Sequence, residues 1–203
     1  MDTEQKPCGW AMQSDLERQY HDSEWGVPCI DDQRLFEFLV LESAQAGLSW
    51  RTVLQKREAY RHHYAQFDAS RVAGFAGSDV QRMLADPGLI RNRAKIEASI
   101  ANARVFLELQ SRHGSFANYL WAFVDGEPVV GHWTEMSQVP AQTDVSVRLS
   151  KALKKAGMRF FGPTIAYAYM QSMGLVNDHL RSCPCFEKCT HLGAKMAASP
   201  VDD

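Results

Sequence analysis

The stretch DDQRLFEFLVLESAQAG sets the strongest limit on what this chain can become. Its spacing predicts a helix over residues 32–46, capped by Asp31 or Asp32 and stopped at Gly47. Leu35, Phe36, Phe38, Leu39, Val40 and Leu41 cover every side of that helix, so it has no face to offer to water. Such a helix is the buried centre of a bundle. Glu42 lies on its stripe Leu35, Leu39, Glu42, Ala46. Burying an ionised carboxylate is costly unless a cation or several donors meet it, and the negative end of the helix dipole adds to that cost. Two solutions stand: an arginine from a neighbouring helix closes an internal salt bridge, or the missing cation is a ligand.

The rest of the sequence supplies helices to surround this one. Ser49 caps WRTVLQKREAYRHHYAQF, and Asp68 and Ser78 begin two short helices. In ADPGLIRNRAKIEASIANARVFLELQ, Pro87 and Gly88 make a tight turn, after which a long helix carries Arg91, Arg93 and Lys95 in its opening turns. SFANYLWAFV is another apolar helix, and VSVRLSKALKKAG and PTIAYAYMQSMG stop at Gly157 and Gly174. Between them, DGEPVVGHWTEMSQVPAQT has no helical period and reads as an irregular loop with room for a short strand pair. The expectation is one all-α domain over residues 8–189, a disordered tail over 1–7 and a flexible tail over 190–203.

No run of eighteen apolar residues occurs and the first ten residues are polar, so a cytoplasmic protein without a membrane partner is expected, with a monomer as the default. A net charge of −2 confines any nucleic-acid surface to a local patch. The Gly88 turn followed by Arg91, Arg93 and Lys95 has the shape of a helix-hairpin-helix whose amides grip a phosphate, and Lys151, Lys154 and Lys155 extend a basic face. An ordinary turn with solvated charges fits the same residues.

Five cysteines is an odd count that favours thiolate ligands or buried thiols over a disulfide framework. Cys8 and His21 lie near one end of the chain, His179 and Cys183 near the other. Together they offer the four ligands of a structural Zn2+, with no position left open for chemistry. CPCFEKC holds three thiols, of which Cys183 has the cleaner spacing from His179. Such a site would close most of the chain into one loop, worth about 4–5 kcal/mol by chain entropy. Trp10, Tyr20, Trp25 and Trp50 are either plain core or, with Glu42, the walls of a pocket for a flat cationic ring.

Taken together, CGW, YHDSEWGVP, LFEFLVLESAQAGLSW, TVLQKREAYR, IRNRAKIEASIANAR, LSKALKKAGMRFFGPT and GLVNDH resemble the bacterial 3-methyladenine DNA glycosylase I family from Cys8 to Cys183. The resemblance implies an all-helical fold of the helix-hairpin-helix glycosylase kind, with zinc at Cys8, His21, His179 and Cys183. It implies a monofunctional glycosylase that flips 3-methyladenine out of double-stranded alkylated DNA, hydrolyses its N-glycosidic bond and releases the free base. A non-catalytic module that binds alkylated DNA is the alternative. Glu42 is assigned to base recognition with electrostatic help to bond cleavage, Trp10, Tyr20, Trp25 and Trp50 to the base pocket, and Gly88, Arg91, Arg93 and Lys95 to the DNA backbone. The chain departs from the family's LEGQQAGLSW by placing Ser43 and Ala44 beside the carboxylate. It also has Asp144 just before SKALKK, a charge that would either repel phosphate or supply a second carboxylate.

Overall fold

Ten α-helices, four short 3-10 helices and one pair of two-residue strands organise residues 6–198, the part of the chain described by the computed structural model. Helices α1 (Asp15–Ser23), α2 (Asp32–Gln45) and α3 (Trp50–His63) each begin at a side chain that accepts an orphan N–H: Ser14 from Glu17, Asp31 from Arg34 and Ser49 from Thr52. Leu35 to Leu41 of α2 are buried on all sides, as the sequence demands, and α2 packs against α3, α6 (Arg93–His113), α7 (Phe116–Trp121) and α9 (Pro163–Ser172). Even Glu37, in the middle of that run, is buried. It is neutralised by Arg57 at 2.7 Å and Arg61 at 3.2 Å.

Four sequence expectations are corrected at the edges of elements. Ser78 does not cap α5 (Gly77–Ala85); the backbone of Ala76 occupies that place, its N–H donating to the Asp79 carboxylate, so the acid three positions on does the capping. Arg91 precedes α6 instead of lying in it, because Asn92 takes the cap and accepts from Lys95 N–H. The strand in the long loop, β1 (Val129–Val130), pairs in parallel with β2 (Val176–Asn177), far along the chain, and not with a second strand of the loop. Finally, α10 (Pro184–Ala198) continues as helix through most of the expected C-terminal tail. Its Leu, Ala, Lys and Met residues favour helix, and Gly193 is seated where an added Cβ would come within 2.7 Å of Pro128.

The expected N-terminal tail lies mostly outside the described residues, but Lys6 is tied down, its N–H donating to Ser182 O at 3.0 Å. Short α4 (Ala69–Ala73) packs on α6, and α8 (Asp144–Ala156) forms a hairpin with α9. Among the described residues no helix is long and apolar enough to cross a membrane.

Candidate base-binding cavity and metal-ligand cluster

Glu42 sits in the last turn of α2 and is 2% exposed. Its Oε1 accepts a 2.6 Å hydrogen bond from Ser172 Oγ of α9, and Ser172 in turn accepts from Tyr20 OH at 3.0 Å. Its Oε2 is buried with no partner. Of the two solutions open in the sequence, the internal salt bridge is absent among the described residues. The buried arginine, Arg57, is committed to Glu24 and Glu37. Burial pushes the Glu42 carboxyl up to about 7, against the lowering effect of the Ser172 hydroxyl.

The carboxylate lines a cavity of about 360 Å³ together with Trp10, Tyr20, Trp25 and Trp50. All four aromatics expected there are therefore brought together. Trp10 meets Trp25 edge-on at 5.2 Å and Tyr20 lies 5.3 Å from Trp50, so the rings brace one another as walls. A volume of this size holds one flat heterocycle. Ser43 and Ala44 lie outside the cavity lining, so the two departures beside Glu42 face away from it. Asp144 is exposed in the first turn of α8 and also lies outside the lining, which removes it as a second carboxylate for the cavity.

The opposite wall was not singled out from sequence. Thr164, Tyr167, Ala168, Gln171 and Ser172 form one face of α9, and Met136, Val139, Pro140 and Ala141 come from the long loop. The signal for the α9 face was present as polar and small residues three and four apart in PTIAYAYMQS. Ser172→Ala should raise the Glu42 pKa further, because it removes the hydrogen bond that favours the ionised form. Cation binding needs that ionised form. The pH–activity profile should accordingly shift to higher pH, with a loss at pH 7 that is largely recovered at pH 9; an unshifted profile would contradict the link.

Beside the cavity, the side chains of Cys8, His21, His179 and Cys183 are buried with all four ligand atoms within 4.8 Å of one another. His179 Nδ1 is 3.1 Å from His21 Nε2, 3.8 Å from Cys8 Sγ and 3.7 Å from Cys183 Sγ, and Cys183 Sγ is 3.6 Å from His21 Nε2. The remaining imidazole nitrogens face outward: His21 Nδ1 to Asp22 at 2.7 Å and His179 Nε2 to Trp25 O at 3.0 Å. Cys183, not Cys185 or Cys189, completes this four-residue group. Trp25 also stacks edge-on against His179 at 4.6 Å and Trp10 against His21 at 5.3 Å, so cavity wall and ligand cluster share two rings.

The turn at Gly88 does not have the free donors expected of it. Gly88 N–H donates to Asp86 Oδ1 at 2.6 Å, and Lys95 Nζ donates to Ala44 O and Ala46 O at 2.9 and 2.6 Å, satisfying the C-terminal carbonyls of α2. Arg93 pairs with Glu97, and Arg91 is exposed. Lys95→Met should therefore cost about 1 kcal/mol of stability and leave the salt dependence of DNA binding unchanged, whereas loss of a true phosphate contact reduces that slope by about 1. The helix pair α8 and α9 adjoins the cavity. Lys151, Lys154 and Lys155 of α8 and Arg159 after it are exposed, α9 opens at Gly162 with no side-chain cap, and Thr164 of its first turn lines the cavity.

This arrangement agrees with what the chain is similar to. The profile described as methyladenine glycosylase matches residues 10–187. The DNA-3-methyladenine glycosylase 1 of Escherichia coli K12 is 49% identical over 179 residues, which is 88% of this chain and 96% of the relative. A crystal structure of 3-methyladenine DNA glycosylase I superposes with a TM-score of 0.86 at 48% identity, covering 89% of this chain and 99% of that one. The Staphylococcus aureus 3-methyladenine DNA glycosylase I, solved for its recognition of 3-methyladenine, superposes with a TM-score of 0.87 at 34% identity, covering 90% and 97%. With the match spanning cavity, aromatic walls and most of the ligand cluster, the chain belongs to the methyladenine glycosylase family.

Proposed function

We propose that this chain is a monofunctional DNA-3-methyladenine glycosylase, hydrolysing the N-glycosidic bond of the damaged nucleotide in double-stranded alkylated DNA. The observation that carries this reading is the unpartnered, buried Glu42 Oε2 inside an aromatic cavity sized for one base. Methylation at N3 leaves the attached adenine positively charged. The flipped base, extruded at a cost of a few kcal/mol that is smaller for damaged pairs, brings the cation that Glu42 lacks. Trp10, Trp25, Tyr20 and Trp50 stack on it and keep water from the carboxylate. The electrons of the glycosidic bond pass to the base, which leaves neutral, and water adds to the oxocarbenium-like sugar with loss of a proton. Because the leaving group is already activated, Glu42 acts by holding and orienting the base and by its negative charge.

The DNA backbone is best met by the hairpin between α8 and α9. α9 opens at Gly162 without a side-chain cap, Thr164 of its first turn lines the cavity, and exposed Lys154 and Lys155 end the helix before it, which fits a helix-hairpin-helix phosphate grip. The Cys8, His21, His179 and Cys183 cluster fits one structural Zn2+ per chain. A tetrahedral S2N2 site has ligand–ligand edges of about 3.3–3.8 Å, close to the edges given above, and both imidazoles have their second nitrogen held. With four protein ligands that ion would staple the termini and take no part in the reaction. In this reading residues 8–189 act as one domain, as a monomer, since one chain supplies the whole cavity.

Incubation with methylated duplex and chromatography of the released bases tests the enzyme against a module that only binds alkylated DNA. Free 3-methyladenine above the uncatalysed control is expected.

A further inference from the structure

Four of the cavity-lining side chains, Tyr20, Tyr167, Gln171 and Ser172, spend their donors inside the protein. Asp178, just after β2 and 1% exposed, accepts from three side chains: Trp133 Nε1 on Oδ1 at 2.7 Å, and Tyr167 OH at 2.5 Å and Gln171 Nε2 at 2.8 Å on Oδ2. Gly131 is required for this approach, because an added Cβ would come within 2.6 Å of Asp178 Oδ1 and 2.2 Å of Trp133 Nε1. With Asp178 accepting from Trp133, Tyr167 and Gln171 alike, the Gln171 amide turns its nitrogen to Asp178, which leaves its oxygen as the other end of the group. Gln171 and Tyr167 both line the cavity. On the Glu42 side the same pattern holds. The Tyr20 hydroxyl donates to Ser172, and Ser172 donates to Glu42. The hydroxyl hydrogens of Ser172 and Tyr167 are thus drawn to the two carboxylates and that of Tyr20 to Ser172, and among the acceptors left over are Glu42 Oε2 and Gln171 Oε1.

We infer that Asp178 is a positioning residue for base selectivity: by fixing the Gln171 amide with its oxygen free, it makes this part of the wall an acceptor and selects a purine with a 6-amino group over one with a 6-oxo group. The inference rests on the base-excision reading above. A 6-amino group donates two hydrogens, whereas a 6-oxo group sets a lone pair against an acceptor that cannot turn. Discrimination of this kind is strong because the mismatched partner leaves polar groups unpaired. Trp50 Nε1, a buried donor without a partner, does not blur the choice, since adenine and guanine carry the same acceptor at N7.

The test is the ratio of kcat/KM for release of 3-methyladenine and 3-methylguanine from the same methylated duplex. Asp178→Asn supplies an amide hydrogen in place of an acceptor, allowing Gln171 to turn over, and should lower the ratio by roughly tenfold. Because Asp178 adjoins His179, Gln171→Met serves as the second variant; it leaves the cluster untouched, keeps side-chain volume and should lower the ratio similarly. A purely structural role would reduce release of both bases in parallel. An unchanged ratio in Gln171→Met overturns the inference, as does an unchanged ratio in folded Asp178→Asn. A wild-type protein that releases neither base refutes the enzymatic reading itself, which separates the two failures.

Discussion

Glu42→Gln should lower base release by roughly 10- to 100-fold in kcat/KM, while making the free protein more stable at pH 8. Both effects come from one unpaired charge. Among the protein's own groups Oε2 has no partner, and the carboxyl is pushed from 4.5 to about 7 by burial. A carboxyl raised in the folded state stabilises the fold fully below its unfolded value and loses that contribution as pH rises through the folded value. Between pH 4.5 and 7 the wild type should therefore lose about 3 kcal/mol relative to the variant. The amide carries no such charge, so the variant's melting temperature should exceed the wild type's at pH 8 and converge with it near pH 4.5. Opposite signs for activity and stability are the mark of a residue kept for its ligand, and a variant less stable than wild type at pH 8 would count against it.

Removal of the proposed zinc, by chelation or by Cys8→Ser, should lower the melting temperature by on the order of 10 °C. His21 and His179 stand 158 positions apart, so a metal between them restricts the unfolded chain as strongly as a long-loop cross-link. The same removal should weaken base affinity, because Trp25 and Trp10 pack directly on His179 and His21. Metal analysis well below one zinc per chain, or an unchanged melting temperature in Cys8→Ser, would remove the staple. A lower melting temperature with intact affinity for 3-methyladenine would keep the staple and break its coupling to the cavity.

Much of this was legible in the sequence for local reasons. The all-apolar run of α2 marks a central helix, its caps sit within three residues of its ends, and a carboxylate inside such a run announces a missing partner. Cys8, His21, His179 and Cys183 are conspicuous because few roles suit those residue types. What stayed hidden depends on distant pairing. β1 meets β2 across more than forty residues, and Asp178, just after β2, holds the cavity-lining Tyr167 and Gln171 from behind. At the Gly88 hairpin, composition says nothing of partners: Asp86 and the α2 carbonyls take the donors of Gly88 and Lys95, while Arg91 stays exposed. In α10 the small residues looked like a tail, yet one of them, Gly193, is what lets Pro128 approach.

The most direct measurement is single-turnover release of base from a duplex carrying one N3-methyldeoxyadenosine, with wild type and Glu42→Gln side by side at pH 8. Rapid release of free 3-methyladenine by the wild type, slowed roughly 10- to 100-fold in a fully folded variant, is the predicted result. Equal rates in the two proteins, or wild-type release no faster than the uncatalysed loss, would contradict it.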